Sequence, residues 1–163
     1  FENIYLVNDN IALLLHHVRQ QSNADSCLDK KYIVAISIGA AYLSICVASV
    51  LNNCIEVIRM WNQNIGGEDF DEHLFESYVH QRYARYSNEV KTLLLDRCAD
   101  AKINLSLEDE TEINLQNLPK KFDHNVLLTR KKFEQSCSKL ISNIKKLVTE
   151  SINHAKSFAN EVT

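Results

Sequence analysis

The segment Ile65–Asp71, which reads Ile-Gly-Gly-Glu-Asp-Phe-Asp, separates a part of the chain with β-type patterning from a part with helical patterning. Two of the three glycines of the chain are adjacent here, at Gly66 and Gly67, and glycine lets the backbone adopt positive φ and approach a partner closely. The three acidic residues that follow fall in a first helical turn, where they complement the helix dipole. The segment predicts a glycine turn into a capped helix. The alternative is an anion or nucleotide contact at the helix N-terminus, which the acids oppose unless a metal or water intervenes.

The composition is that of an ordinary globular domain. The chain has 163 residues, of which 45% are hydrophobic and 24% charged, and this suits one domain with a sizeable core. A net charge of −3 gives no reason to expect nucleic acid or a membrane as a partner, and no apolar run approaches the roughly 18 residues of a membrane span. Because the chain begins at Phe1 and its only methionine is Met60, we expect a piece of a longer protein.

The five cysteines predict a reduced protein. Their number is odd, no two have Cys-x-x-Cys spacing, and Cys46, Cys98 and Cys137 occupy apolar positions of strand or helix patterns. Buried reduced thiols and a reducing compartment follow, and we expect a cytoplasmic protein. His73 and His80 could share a helix face, but no carboxylate or thiol completes a metal-ligand set with them. We therefore expect no metal site.

Before the glycine pair, the pattern predicts a strand, a helix and a three-stranded antiparallel meander. The helix follows cap-type residues, and its apolar residues recur at helical spacing. Asn52 and Asn53 tolerate the left-handed region and are expected to form the turn between the last two strands. The expected bounds are a strand over 4–8, a polar loop over 20–30, and strands over 32–38, 42–51 and 54–61 within a meander over 31–62.

After the glycine pair, the pattern predicts two helices, a hairpin and a long helix. The first helix carries an apolar face that begins at Phe70, and the second is opened by cap-type residues 87–89. From residue 109 the pattern changes to that of a strand, whose alternation runs over 112–117. A second strand is expected over 124–128 after the only proline, Pro119, and Thr129 is expected to cap the last helix. This order of elements predicts an α/β domain with a small appended α+β lobe.

The motif Gly66–Asp71, preceded by a β-meander, resembles the second lobe of the actin-like ATPase domain of the seventy-kilodalton heat-shock chaperone family. Two more motifs carry the resemblance, since residues 101–106 match Ala-Lys-x-x-Leu-Ser and residues 129–134 match Thr-Arg-x-x-Phe-Glu. Asn8 and Ala12 loosely fit the family's Ile-Asn-Glu-Pro-Thr-Ala-Ala segment. The spacing of these landmarks is similar to the family's from about residue 4 to residue 163, almost without gaps.

The resemblance implies an α/β fold, an actin-like ATPase (ribonuclease H-like) lobe with an inserted small α+β subdomain. On the family's plan, residues 1–71 and 130–163 form the core of the second lobe, and residues 72–129 form the inserted subdomain. The first lobe, the end of the second lobe and the peptide-binding domain of the family have no counterpart in this sequence.

The phosphate-binding turn of the family is degenerate here. In the family it reads Asp-Leu-Gly-Gly-Gly-Thr, whose glycine amides cradle phosphates and whose aspartate helps to position magnesium and water. Residues Ser37–Tyr42 read Ser-Ile-Gly-Ala-Ala-Tyr instead, so that only Gly39 is retained. Two alanine methyl groups stand where backbone approaches phosphate, and if these positions need positive φ each costs roughly 1 kcal/mol. Ser44 replaces a further family aspartate, and Asp9 stands at the family's glutamate.

The adenosine-binding helix of the family is also altered. It reads Glu-Arg-Ala-Lys-Arg-Thr-Leu-Ser in the family, and residues 99–106 keep only part of it. Lys102 and Ser106, contacts on the ribose and adenine side in the family, are retained. Ala99 replaces the glutamate, and Ile103 replaces the arginine that stacks on adenine, a role that an aliphatic chain cannot fill. The alternative interpretation of Lys102 and Ser106 is a solvated lysine and a helix-end serine.

The resemblance implies vestigial nucleotide contacts at Gly39, Gly66, Gly67, Lys102 and Ser106, and the substitutions leave no catalytic residue and no metal ligand. We therefore expect a non-hydrolysing co-chaperone or regulatory member of the family that binds ATP or ADP with magnesium weakly or not at all. Its expected partners, through the parent protein, are a J-domain protein, a nucleotide-exchange factor and unfolded clients.

Two other functions stay open at this point. The first is a working ATP-dependent protein-folding chaperone of the stress response that tolerates the substitutions. The second is a nucleotide-independent interaction module that uses the small lobe of residues 72–130, the region where exchange factors bind the family. Tyr83 and Tyr86 are its candidate contacts.

Overall fold

A computed structural model describes residues 5–21, 30–80, 87–116 and 125–160. The described residues form two compact units, one of residues 1–64 and 144–163 and one of residues 65–143. Each unit has its own sheet and its own hydrophobic core. The elements in order are α1 (Asp9–Gln21), β1 (Lys31–Ile38), β2 (Leu43–Leu51), β3 (Cys54–Gln63), α2 (Gly67–Leu74), a π-helical segment (Phe75–His80), α3 (Asn88–Asn104), β4 (Glu110–Ile113), β5 (Val126–Thr129), α4 (Arg130–Ser136) and α5 (Ser138–Asn160).

The first unit contains the predicted antiparallel meander. Its strand order is β1-β2-β3, with β2 in the centre and almost completely buried. The turn between β2 and β3 is the Asn52-Asn53 pair, whose φ angles of 50° and 61° lie in the left-handed region as predicted. A β-bulge between Val47 and Ala48 interrupts the register of β2 with β3. The prediction of a meander over residues 31–62 is thus confirmed.

Helices cover both faces of this sheet. Leu14 of α1 packs with Ala35, Cys46 and Ala48 on one face. The rings of His154 and Phe158, in the second half of α5, contact Trp61 and Tyr32 on the other face, with ring centroids 5.4 and 6.4 Å apart. Because a helix packs on each face of the sheet, α1 carries apolar residues at helical spacing and β1 carries apolar residues on both of its faces.

The strand expected over residues 4–8 does not form in the described part of that range, residues 5–8. Residues 5–8 have no strand pairing, and α1 begins at Asp9. Tyr5 and Leu6 are exposed, at 79% and 103% of their reference area. An apolar run becomes a strand only where another strand satisfies its amides and carbonyls, and no strand among the described residues pairs with this segment. Most of the loop expected over 20–30 lies outside the described residues.

The second unit packs α2, the π-helical segment, α3 and a hairpin around one core. The predicted first helix is in fact α2 followed by the π-helical turn, a distinction that an apolar spacing near 3.6 does not make. The core residues are Leu74, Phe75, Val79, Val90, Leu94, Cys98, Ala101, Leu105, Ile113, Leu115, Val126 and Leu128.

The hairpin of the second unit pairs β4 with β5 antiparallel, as predicted, but β4 ends earlier in the chain than expected. The strand expected over 112–117 ends at Ile113 because side-chain amides take over the backbone partners beyond it. Asn114 Oδ1 accepts from Gln116 N at 2.9 Å, and Asn125 Oδ1 accepts from Leu115 N at 3.1 Å. The turn expected around Pro119 lies outside the described residues.

The last helical region is interrupted once. Thr129 caps α4 as predicted, since its Oγ1 accepts from Lys132 N at 3.3 Å. The helix then breaks at Cys137, where the backbone has φ −87° and ψ 9°, and Ser136 Oγ donates to the Phe133 carbonyl at 2.9 Å. Although α5 then runs for 23 residues, no helix within the described ranges is both long and apolar enough to span a bilayer.

Candidate nucleotide site

The glycine pair lies at the start of α2, and neither glycine has the positive φ that glycine adopts more readily than other residues. Gly66 is extended, with φ −149° and ψ −168°, and no glycine of the chain has positive φ. The Gly66 amide donates to Asp69 Oδ2 at 2.6 Å, so an acid of the first turn caps the helix from within. The predicted capped helix is confirmed, and the pair forms this turn without the positive φ that glycine permits. What Gly66 provides is a buried backbone without a side chain.

Lys102 ties the middle of the second unit to the start of α2. Its Nζ donates to the Gly67 carbonyl at 2.8 Å and to Asp71 Oδ2 at 2.7 Å, and it lies 2.7 Å from Asp71 Oδ1. The side chains of Lys102 and Asp71 are 24% and 12% exposed, so Lys102 is not the solvated lysine of the alternative interpretation. Burial raises the pKa of Asp71, while the hydrogen bond and the charge of Lys102 act to lower it.

The turn Gly39–Tyr42 closes on itself. The Gly39 amide donates to the Tyr42 carbonyl at 2.9 Å, next to the last β1–β2 pair, Ile38 with Leu43. Only Asn52 and Asn53 have positive φ among the described non-glycine residues, so the strain that positive φ would cause at the two alanines of this turn is absent. A Cβ at Gly39 would lie 3.7 Å from the Tyr42 carbonyl, an ordinary contact. The Tyr42 side chain is 62% exposed.

A chain of neutral hydrogen bonds connects α1, β2 and β3 in the first unit. Asn10 Nδ2 donates to Ser44 Oγ at 2.6 Å, and Ser44 Oγ donates to Asn62 Oδ1 at 2.8 Å. Asn10 is fully buried and Ser44 is 8% exposed. Asn10 Oδ1 is buried without a hydrogen-bond partner among the described residues. The Ser44 hydroxyl therefore donates its proton to Asn62 and accepts a hydrogen bond from Asn10 through a lone pair.

Our sequence analysis missed Asn10 and Asn62, although the sequence carries a signal for both. Asn10 precedes the buried Leu14 by four residues, so both lie on one face of α1. Asn62 and Ser44 are two residues from Met60 and Cys46, which pack in the core beneath α1. Helical and strand periodicity together place all three polar side chains on the inner faces of their elements.

Magnesium, which the resemblance implies, does not fit these residues. Proteins bind magnesium through carboxylates and substrate phosphates in near-octahedral geometry. Ser37 and Ser44 carry no charge, and the Ser44 hydroxyl is committed to two asparagines. The Asp9 carboxylate accepts from Asn10 N at 2.8 Å, within its own helix terminus. No group of three acidic, histidine or cysteine side chains within the described ranges could hold a metal ion.

The five expected nucleotide contacts divide between the two units. Gly39 lies in the first unit, and Gly66, Gly67, Lys102 and Ser106 lie in the second. Of these, the structure joins Gly67 and Lys102 directly. Ser106 is exposed in the turn that ends α3, and its amide donates to the Ile103 carbonyl at 2.9 Å. The Ile103 side chain, at the position of the stacking arginine, is 61% exposed.

Comparison with known proteins defines the class to which this fold belongs. The family model described as "Hsp70 protein" matches residues 2–163. The mixed α/β fold fits a lobe of the actin-like ATPase domain of that family. The chain belongs to the Hsp70 family.

Individual relatives agree with this assignment. Heat shock 70 kDa protein 16 of Arabidopsis thaliana is 28% identical over 146 residues, which are 85% of this chain and 19% of the relative. Chaperone protein dnaK of Guillardia theta is 29% identical over 83% of this chain and 24% of its own length, and that of Cyanophora paradoxa is 30% identical over 79% and 23%. The chain thus spans about a fifth to a quarter of the length of these relatives.

Proposed function

We propose that this chain is part of the nucleotide-binding domain of an Hsp70-type protein that does not hydrolyse ATP and binds nucleotide weakly or not at all. The protein then acts as a co-chaperone or regulatory member of the family, a pseudo-ATPase. The observation that carries this proposal is the neutral set Asn10–Ser44–Asn62 in place of a carboxylate-bearing metal site. Hydrolysis in phosphoryl-transfer sites depends on a positioned metal and on electrostatic stabilisation, and uncharged serines supply neither.

The nucleotide contacts of the proposed site are limited to Gly39, Gly66, Gly67, Lys102 and Ser106. Three observations support weak binding. The Gly39 and Gly66 amides already donate to Tyr42 and Asp69, and the Lys102 ammonium is held by Asp71. A nucleotide must break or share each of these bonds, which lowers its net affinity.

We place the core of the second lobe in residues 1–71 and 130–163, and an inserted α+β subdomain in residues 72–129. The separate core of the unit at 65–143, which packs α3 against the β4–β5 hairpin, supports such a subdomain. In the parent protein we expect a cytoplasmic location and partners of the family's kinds, namely a J-domain protein, a nucleotide-exchange factor and unfolded clients.

Calorimetric titration of the full-length protein with ATP in the presence of magnesium tests the proposal, together with phosphate release under the same conditions. We expect no turnover and either weak binding or no heat. Binding at low-micromolar Kd or tighter with turnover would establish a working ATP-dependent chaperone and overturn the proposal. Binding without turnover supports a pseudo-ATPase with a residual site.

A second candidate, a nucleotide-independent interaction module, is favoured by the exposed apolar side chains on α3 and the turn after it. Leu93, Ile103 and Leu107 are 42%, 61% and 88% exposed. The aromatic contacts expected at Tyr83 and Tyr86 lie outside the described residues. The absence both of binding heat and of a thermal shift at saturating nucleotide favours this candidate over the residual site.

A further inference from the structure

The residues present do not fit the implied magnesium ion because Asn10, Ser44 and Asn62 are hydrogen-bonded to one another. We call these three residues the polar latch. Its two hydrogen bonds span 34 and 18 residues of sequence. They join the first turn of α1 to the central and edge strands of the meander. We propose that the polar latch fastens α1 to the sheet without metal, and that Ser44 leaves magnesium without a carboxylate that restoring the phosphate turn does not supply. This inference rests on the proposed loss of ATPase function.

Burial makes the polar latch energetically significant. Asn10 is completely buried and Ser44 nearly so, and a buried polar group that loses its partner costs its full desolvation energy. Removal of the Ser44 hydroxyl deprives both asparagines of a partner, and removal of the Asn10 amide deprives the hydroxyl of its donor. The two side chains therefore act as one unit, and the stability losses caused by substituting each of them should not be additive.

The geometry also shows what an aspartate at position 44 would change. The Ser44 oxygen lies 2.6 Å from the Asn10 amide nitrogen and 2.8 Å from the Asn62 carbonyl oxygen. An aspartate at this position cannot donate to Asn62 Oδ1, so it breaks the second bond and places a carboxylate among the buried groups. A carboxylate is the ligand type that magnesium requires and that serine lacks.

The first test is a double-mutant cycle in the full-length protein, read as the thermal midpoint Tm. We expect Asn10→Ala and Ser44→Ala each to lower Tm by about 2–4 °C, and the double variant to lower it by clearly less than the sum. Ser49→Ala is the matched control, because Ser49 is also a buried serine of β2 but donates to Glu56 at 3.3 Å. Its effect should add to that of Asn10→Ala. Additive effects of Asn10→Ala and Ser44→Ala would overturn the polar latch.

If the Asn10 variants do not fold, the exposed Asn62 provides the second cycle. Asn62→Ala combined with Ser44→Ala should again give a smaller shift than the sum, since both remove the same hydrogen bond. The wild-type Tm should be the same in EDTA and in magnesium chloride. A rise of Tm with magnesium alone, absent in Ser44→Ala, would overturn a metal-free latch.

The second test restores the phosphate turn with Ser37→Asp, Ala40→Gly, Ala41→Gly and Tyr42→Thr, with and without Ser44→Asp, in the full-length protein. The measurement is the Kd of ADP in EDTA divided by its Kd in magnesium. We expect the ratio to be at least about tenfold higher once Ser44→Asp is added to the four-residue variant. Equal ratios in the two variants, at any value, would overturn the assignment to Ser44.

The outcomes separate this inference from the proposed function. ATP turnover by the wild-type protein removes the proposed function whatever the variants do. A wild-type protein without turnover, combined with additive Tm shifts or equal magnesium ratios, retains the proposed function and removes the role of Ser44.

Discussion

At the scale of single residues, the polar groups of the candidate site are held by hydrogen bonds and an ion pair within the protein. Ser44 is bonded to Asn10 and Asn62, and the charged Lys102 is held by Asp71 and the Gly67 carbonyl. In both places the polar group bonds to other groups of the protein. Their individual contributions to stability can therefore be measured without nucleotide.

Replacement of Lys102 by methionine should destabilise the second unit. The substitution keeps most of the apolar stem but leaves the Asp71 carboxylate, 12% exposed, without its cation. We expect a loss of about 2 kcal/mol in the free energy of unfolding, below the range for fully buried pairs because Lys102 is partly solvated. Urea denaturation measures the change. Lys146→Met is the control, since its ion pair with Glu150 is exposed and its removal should cost less than about 0.5 kcal/mol. Equal losses in the two variants would contradict a structural role for Lys102.

Asp71 should give the protein a pH-dependent stability of defined sign. Because burial raises the pKa of Asp71 above 3.8, the folded state binds a proton more tightly than the unfolded state does. The contribution of this group to stability is fully present below pH 3.8 and falls as pH rises through the higher folded pKa. Asp71→Asn should remove this decline. The test compares the slope of unfolding free energy against pH for the two proteins, from about pH 3.5 to about pH 6, roughly two units above the ordinary value. A slope that is unchanged, or steeper, in Asp71→Asn would show that Lys102 outweighs burial.

At the scale of elements, the sequence was sufficient where the controlling residues are close together. The meander, α1, α3 and the turn at Asn52 and Asn53 follow from patterns within a few residues. The prediction of a strand over 4–8 was wrong for the described residues 5–8, because a strand needs a neighbouring strand to pair with and no local pattern supplies one. The predicted length of β4 was wrong for a related reason. Leu115 N donates to the side-chain oxygen of Asn125, ten residues away, instead of to a strand partner.

The stability of the two turns of the meander should respond differently to substitution by glycine. Asn53 has φ 61°, so Asn53→Ala should cost about 1 kcal/mol while Asn53→Gly should be close to neutral. Ala40 has no positive φ, so Ala40→Gly relieves no strain and should cost about 0.5–1 kcal/mol through the entropy of the unfolded chain. Chemical denaturation of the three variants measures these effects. Stabilisation by Ala40→Gly would mean that the degenerate phosphate turn is strained after all.

At the scale of the whole molecule, the sequence predicted the α/β fold class, but not how the polar residues of the candidate site pair. The polar latch joins residues 34 and 18 apart, and the Lys102–Asp71 pair joins residues 31 apart. No local period encodes such pairs, although periodicity does identify which side chains face inward. The structure also has two separate cores, with Cys46 in the first and Cys98 in the second.

The cysteines of the two cores should resist alkylation while Cys54 reacts at once. Cys54 is exposed at the start of β3, whereas Cys46 and Cys98 are buried. Burial raises the pKa of Cys46, and burial together with the charge of Asp71 raises that of Cys98 to about 12. The thiolate is the reactive form. At about pH 9 a group of pKa about 12 is ionised in only about one molecule in a thousand. Iodoacetamide treatment of the native protein, read by peptide mass spectrometry, should therefore modify Cys54 and spare the other two.

The pH dependence of alkylation distinguishes burial of the thiol from simple crowding at the surface. Raising the pH from about 8 to about 9 should leave Cys98 protected, while the exposed Cys54 reacts at both pH values. In denaturing urea, Cys46 and Cys98 should both react at the rate of Cys54, since unfolding exposes the thiols and returns their pKa values to the ordinary range. Rapid alkylation of Cys98 in the native protein would show that the core of the second unit is not formed in solution, and the roles of Lys102 and Asp71 would then lose their structural basis.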